Sequence, residues 1–154
     1  YRVTGVDFFV NFLESNQKYK VFLLGGSLGA ASFVKSKYPN VVDYYDGLVN
    51  DSTDELILNK IENSGAEILF VALGAPKQEF WIHKNIEALI KVKFAMGVGG
   101  SFDFVAGVQK RAPLFMQKYG IEWIYRLYKE PKRILRIINA VCIFSFYAVK
   151  AKYK

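Results

Sequence analysis

The sequence predicts an α/β fold: an open parallel sheet with helices on both faces, followed by a basic helical appendage. Three observations carry this. Residues 20–25, 41–45, 67–73 and 94–98 are short apolar runs of strand length, the pattern of strands covered on both faces. Segments of helical length separate them, as parallel crossovers require. The charge also shifts abruptly along the chain. Residues 1–109 hold 10 Lys and Arg against 12 Asp and Glu, a net −2, whereas residues 110–154 hold 11 against 2, a net +9. The expected division is a Rossmann-like nucleotide-binding domain over 1–113 and a basic, amphipathic helical appendage over 114–154.

The first helix starts at Thr4 or Asp7 and runs to Ser15, with Phe8, Phe9, Phe12 and Leu13 on one face. The first strand, 20–25, empties into Gly25-Gly26-Ser27-Leu28-Gly29 and a small-residue helix over 30–37. Strand, glycine turn and helix can hold a phosphate at the helix N-terminus; close helix–strand packing demands the same glycines. Residues 41–45 form the second strand, finishing at Asp46-Gly47, and Asp51-Ser52-Thr53-Asp54 offers N-caps for a helix through Asn63. Ser64-Gly65 stops that helix. The third strand, 67–73, leads into Gly74-Ala75-Pro76 and a helix to about Lys91, with Gln78 and Glu79 in its first turn. Gln78 can bond a sugar or phosphate oxygen, or serve with Glu79 as a capping pair. His83, one turn further, reads as a surface or packing residue.

The fourth strand enters Gly97-Val98-Gly99-Gly100, where paired glycines let a ligand approach bare N–H groups. Ser101 is a cap for a short helix, Asp103 lies in its first turn, and Lys110-Arg111 closes the stretch before Pro113. A carboxylate, a glycine turn and two cations thus gather at a strand's carboxyl end, where open α/β sheets bind ligands. A tight turn with a capping Asp and a solvated Lys-Arg pair fits the same residues. The loops at Gly26, Gln78 and Gly100 are expected on one rim.

Beyond Pro113, residues 114–119 and 121–129 read as helical, and a last helix begins at Glu130-Pro131. Its stretch 137–149 carries no charge, yet is shorter than the roughly 20 apolar residues a spanning helix needs. Basic residues flank it, which suits a helix lying in an anionic membrane interface; a core helix is the other reading. Cys142, the single cysteine, reads as a small hydrophobe within this run. The chain has a net charge of +7, no internal repeat and no secretory leader pattern, and it starts at Tyr1, which reads as a fragment or processed product. No pair of aspartates stands two apart, so no Asp-x-Asp metal clamp is present; one His and one Cys exclude an ordinary zinc site. No P-loop and no Gly-x-Ser-x-Gly occurs. Nucleic acid is not the expected partner, because the tail's aromatics sit within apolar runs.

The sequence resembles the WecG/TagA/CpsF family of bacterial glycosyltransferases. The matching words are Arg2-Val-Thr-Gly-Val-Asp7, Leu24-Gly-Gly-Ser-Leu-Gly29 and Leu73-Gly-Ala-Pro-Lys-Gln-Glu-Phe-Trp81. They continue through Gly97-Val-Gly-Gly-Ser-Phe-Asp-Phe-Val-Ala-Gly107, Lys110-Arg-Ala-Pro113 and residues 120–133, in family order. The resemblance implies transfer of an N-acetylmannosamine-like sugar from a UDP-sugar to an undecaprenyl-diphosphate-linked acceptor, inverting and independent of metal or other cofactor. It implies a site peripheral to the inner face of the plasma membrane, serving teichoic acid, capsule or related polysaccharide synthesis; self-association is compatible with it. By the same resemblance Arg2, Gly25, Gly26, Gly29, Gly99, Gly100, Lys110 and Arg111 border the donor. Gln78 contacts donor phosphate or sugar and Asp103 holds the nucleoside, while Arg126, Arg133 and Arg136 face the diphosphates. Two departures stand out. The family's N-terminal segment, with a threonine and an aspartate acting at the acceptor hydroxyl, precedes the point where this chain begins, so the general base is expected to be missing. Asp46-Gly47-Leu48 stands where many relatives carry Gly-Tyr-Phe. A non-catalytic nucleotide-binding relative is the alternative these departures suggest.

Overall fold

The computed structural model describes residues 4–110 together with Pro113, Met116, Tyr119, Ile124, Tyr125 and Leu127. The chain divides into two compact units, residues 1–110 and 111–154. Arg2, Arg111, Arg126, Arg133, Arg136 and Cys142 lie outside the described residues, as do most positions of the expected tail helices.

The first unit holds a four-stranded, all-parallel sheet ordered β2-β1-β3-β4. The strands are β1 (Val21–Gly25), β2 (Val41–Tyr45), β3 (Ile68–Ala72) and β4 (Phe94–Gly97). The helices are α1 (Gly5–Ser15), α2 (Ala30–Lys37), α3 (Asp51–Ser64), α4 (Lys77–Asn85) and α5 (Ser101–Val105), with a 3₁₀ turn over Ile86–Ala88.

Alternation along β1 and β3 builds two cores. Leu23 and Phe70 point into one with Phe9, Leu13, Val34 and Phe102. Phe22, Leu24, Leu69 and Val71 point into the other with Ile57, Ile61 and Trp81. The chain leaves β1 outward to β2 through α2, then returns across β1 to β3 through α3. Reversing direction under a right-handed crossover rule puts the two helices on opposite faces. That is where they lie, and the loops that leave the paired carboxyl ends of β1 and β3 part toward opposite faces and bound a crevice.

Of the two starts expected for the first helix, Thr4 is the cap: its Oγ1 accepts from the Asp7 amide. Three local expectations are corrected. Helix α3 is capped by Asn50 and not by residues 51–54: its side chain accepts from the Thr53 amide, and the Thr53 hydroxyl accepts in return from the Asn50 amide. Helix α4 ends at Asn85, six residues early, because Leu89 and Val92 turn inward to join the second core. Ser101 is not a cap. It is 1% exposed inside the first turn of α5, and its hydroxyl donates to the Val98 carbonyl at 2.6 Å.

Two lysines, Lys84 and Lys93, brace the unit through ion pairs. Lys84 Nζ lies 2.5 Å from Asp51 Oδ1 and 2.7 Å from Asp54 Oδ2, joining α4 to α3. Lys93 Nζ lies 2.5 Å from Glu67 Oε1 at the strands' amino ends. The lysine hydrogen bonds hold Asp51 and Glu67 below the usual carboxylate range, and the reciprocal bonds lift Lys84 and Lys93 above the usual lysine range. A lowered carboxyl stabilises above its unfolded pKa and loses that contribution as pH falls through the folded value. A raised lysine stabilises below its unfolded pKa and loses it as pH rises through the folded value. The urea midpoint is therefore expected to hold level between about pH 5 and pH 9 and to fall on both sides, beyond about pH 4 and pH 10.4. Lys84→Met with Lys93→Met should flatten both flanks in circular-dichroism titrations. The pH-dependent effect is small, because the two lysine side chains are more than half exposed.

Candidate functional site

The crevice is bounded by the loops at the strands' carboxyl ends: residues 26–29 after β1, 73–76 after β3, and 98–100 after β4. Asp46 closes it at the end of β2. Backbone bonds hold the loop bases in place. The Gly26 amide donates to the Ala72 carbonyl at 2.9 Å, and the Val98 amide to the Val71 carbonyl at 2.8 Å.

Side chains then staple the loops to one another. Asp103 Oδ1 accepts from the Ser27 amide at 2.9 Å, joining α5 to the loop after β1. Gln78 Oε1 accepts from the Gly99 amide at 3.0 Å, joining α4 to the loop after β4. Asp46 Oδ2 accepts from the Gly29 amide at 2.9 Å. Gln78 and Asp103 are each 6% exposed. The loops and helices that carry Gly26, Gln78 and Asp103 therefore share one rim.

The glycines have distinct reasons. A Cβ on Gly97 would collide with the Gln78 side chain, which fills that space. A Cβ on Gly26 would sit 3.0 Å from Phe102 Cδ2. Gly29 and Gly99 are left-handed, at φ +85° and +55°. Lys110 is exposed and comes directly after Gln109, whose amide bonds the Asp103 carbonyl at 3.1 Å, so it stays beside the rim.

One expectation changes. The turns are braced: Ser27, Gly29 and Gly99 already donate to side chains. Among the described residues, the Leu28 and Gly100 amides have no protein acceptor.

Sequence reasoning did not find the residues that orient α4. Trp81 Nε1 donates to Asp54 Oδ1 at 2.7 Å, and Asp54, 8% exposed, also binds Lys84. This cluster sets how α4 presents Gln78. Its partners lie 27 and 30 residues apart in sequence, and no local pattern announces them. Asp46 had a signal that went unused, an acid ending the strand after a glycine turn. His83 is exposed.

With this geometry in view, residues 1–154 match the glycosyl transferase WecG/TagA/CpsF family. The chain belongs to that family. It is 38% identical over 146 residues to N-acetylglucosaminyldiphosphoundecaprenol N-acetyl-beta-D-mannosaminyltransferase of Bacillus subtilis (strain 168), covering 90% of this chain and 56% of that protein. The protein of the same name from Staphylococcus aureus (strain MRSA252) is 41% identical over 140 residues, covering 88% and 54%. The chain thus spans about half the length of these relatives. All the WecG/TagA/CpsF words within residues 20–110 fall on the rim or on the elements that carry it. Among the described residues, no helix is long and apolar enough to cross a membrane.

Proposed function

We propose that this chain carries the donor site of a glycosyltransferase that moves an N-acetylmannosamine-like sugar from a UDP-sugar to an undecaprenyl-diphosphate-linked acceptor. The observation that carries the reading is the stapled rim where the loops after β1 and β3 part, formed from the words shared with the family. The relatives' names supply the sugar and the lipid-linked acceptor.

The chemistry asked of the site is displacement at the anomeric carbon. The acceptor hydroxyl forms the new C–O bond and its proton passes to solvent water. The bond to UDP breaks, and its electron pair leaves on the phosphate. Gln78 is the buried polar group at the floor where the donor sugar would lie, and Lys110 offers charge to the departing diphosphate. Arg2, Arg111, Arg126, Arg133 and Arg136 are proposed for the same work. Guanidinium forks at a leaving diphosphate replace what a bound metal would otherwise contribute, and inversion results from a single displacement. We assign the reaction to the inner membrane face, a reading that rests on the lipid-linked acceptor in the relatives' names. The exposed Leu28 suits that setting.

UDP is expected to bind the 154-residue chain in calorimetry without added metal. Labelled N-acetylmannosamine should pass from its UDP donor to a lipid-diphosphate N-acetylglucosamine acceptor, and Gln78→Ala should slow transfer about 100-fold. Binding without transfer would favour the non-catalytic alternative. Absence of heat at millimolar UDP would overturn the donor site.

A further inference from the structure

We infer that Asp46 reads the ribose of the donor nucleotide, which sets the direction in which the nucleotide lies across the rim. The inference rests on the donor-site reading above and adds a residue and an orientation to it.

Asp46 ends β2, next to β1, and its carboxylate reaches the glycine loop after β1, 17 residues from its partner Gly29. An acid in this relation to a glycine loop is placed to accept from a ribose hydroxyl. Only Oδ2 is engaged. Among the described residues Oδ1 has no partner, and the bond to Gly29 is exposed, so one oxygen remains open to a ligand donor.

The chemistry is selective. A carboxylate accepts hydrogen bonds and repels phosphate. With Asp46 on the Gly29 amide, the N-terminus of α2 favours a hydroxyl-bearing group over a diphosphate. The rim's other aspartate is less suited to this task. Asp103 is almost fully buried and holds the Ser27 amide, which makes it part of the scaffold.

Room for the base lies next to Asp46. The residues just beyond it wall an open cavity of about 460 Å³, with Gly47, Leu48, Leu73 and Phe80 on its apolar side and the Lys84–Asp51 pair on its polar side. The nucleoside then lies over β2, the diphosphate toward the loop after β3, and the sugar toward Gln78.

The test titrates the full chain, by calorimetry without metal, with UDP, 2′-deoxy-UDP and 3′-deoxy-UDP. The wild-type chain is expected to prefer UDP over at least one deoxy analogue by about tenfold or more. Asp46→Asn keeps an oxygen for Gly29 but puts an NH₂ donor in place of the open oxygen. It should shrink that preference to about twofold or less, with its melting temperature close to wild type. Asp46→Ala should do the same while also loosening the loop. Equal binding of all three ligands by the wild type, or an unchanged preference in Asp46→Asn, overturns the inference and leaves the donor site standing. No binding of UDP by the wild type overturns both.

Discussion

Gly25→Ala is expected to destabilise the domain by about 2–6 kcal/mol, the sum of left-handed strain and overpacking. Gly25 has φ +89° and pairs with Ala72 across β1 and β3. A Cβ there would stand 2.7 Å from Leu73 Cδ2 and 2.9 Å from the Ala72 carbonyl oxygen. The leucine tip can move, but the carbonyl cannot: it belongs to a strand bonded on both sides, and it accepts from Gly26. Domains of this size have total stabilities of about 5–15 kcal/mol, so the loss is a large share. Gly65→Ala is the control. It caps α3 at φ +67° with only the Lys20 amine near, at 3.9 Å, so it should cost about 1–2 kcal/mol. Urea unfolding of the two variants separates collision from backbone strain; equal losses would show that the approach of β1 to β3 yields freely.

Asp103→Ala is expected to cut UDP affinity by about tenfold or more and stability by about 1.5–3 kcal/mol, the worth of a charge-assisted bond. Two contacts join α5 to the loop after β1. Phe102 packs against Gly26, and Asp103 accepts from the Ser27 amide. Alanine leaves that amide without its acceptor and frees the loop that borders the donor. Asp103→Asn keeps an acceptor oxygen and should lose much less on both counts. Calorimetry paired with urea unfolding reads both effects. If alanine costs stability while UDP affinity stays unchanged, the staple is structural and the Ser27 loop takes no part in donor binding.

The framework was readable because it is written locally. Apolar runs gave all four strands to within two residues, and glycines marked where three of them end. The shared rim came from topology alone, since parallel strands bring their carboxyl ends together. The pairings that shape the site were not readable. Asp103 and Ser27 are 76 residues apart, and Gln78 and Gly99 are 21 apart. A capping Asp and a loop-bracing Asp look alike in sequence. The end of α4 was also invisible, since no glycine or proline comes directly after Asn85; burial of Leu89 and Val92 turns the chain there. The cap of α3 was ambiguous among adjacent polar residues until Thr53 answered Asn50.

Side chains already engage the amides of Ser27, Gly29 and Gly99 before any guest arrives. An incoming group can take the open Leu28 and Gly100 amides or the free Asp46 oxygen outright, but it reaches the other three amides only by an exchange of partners that displaces Asp103, Asp46 or Gln78. The cleft's discrimination resides in which of these three hosts gives way.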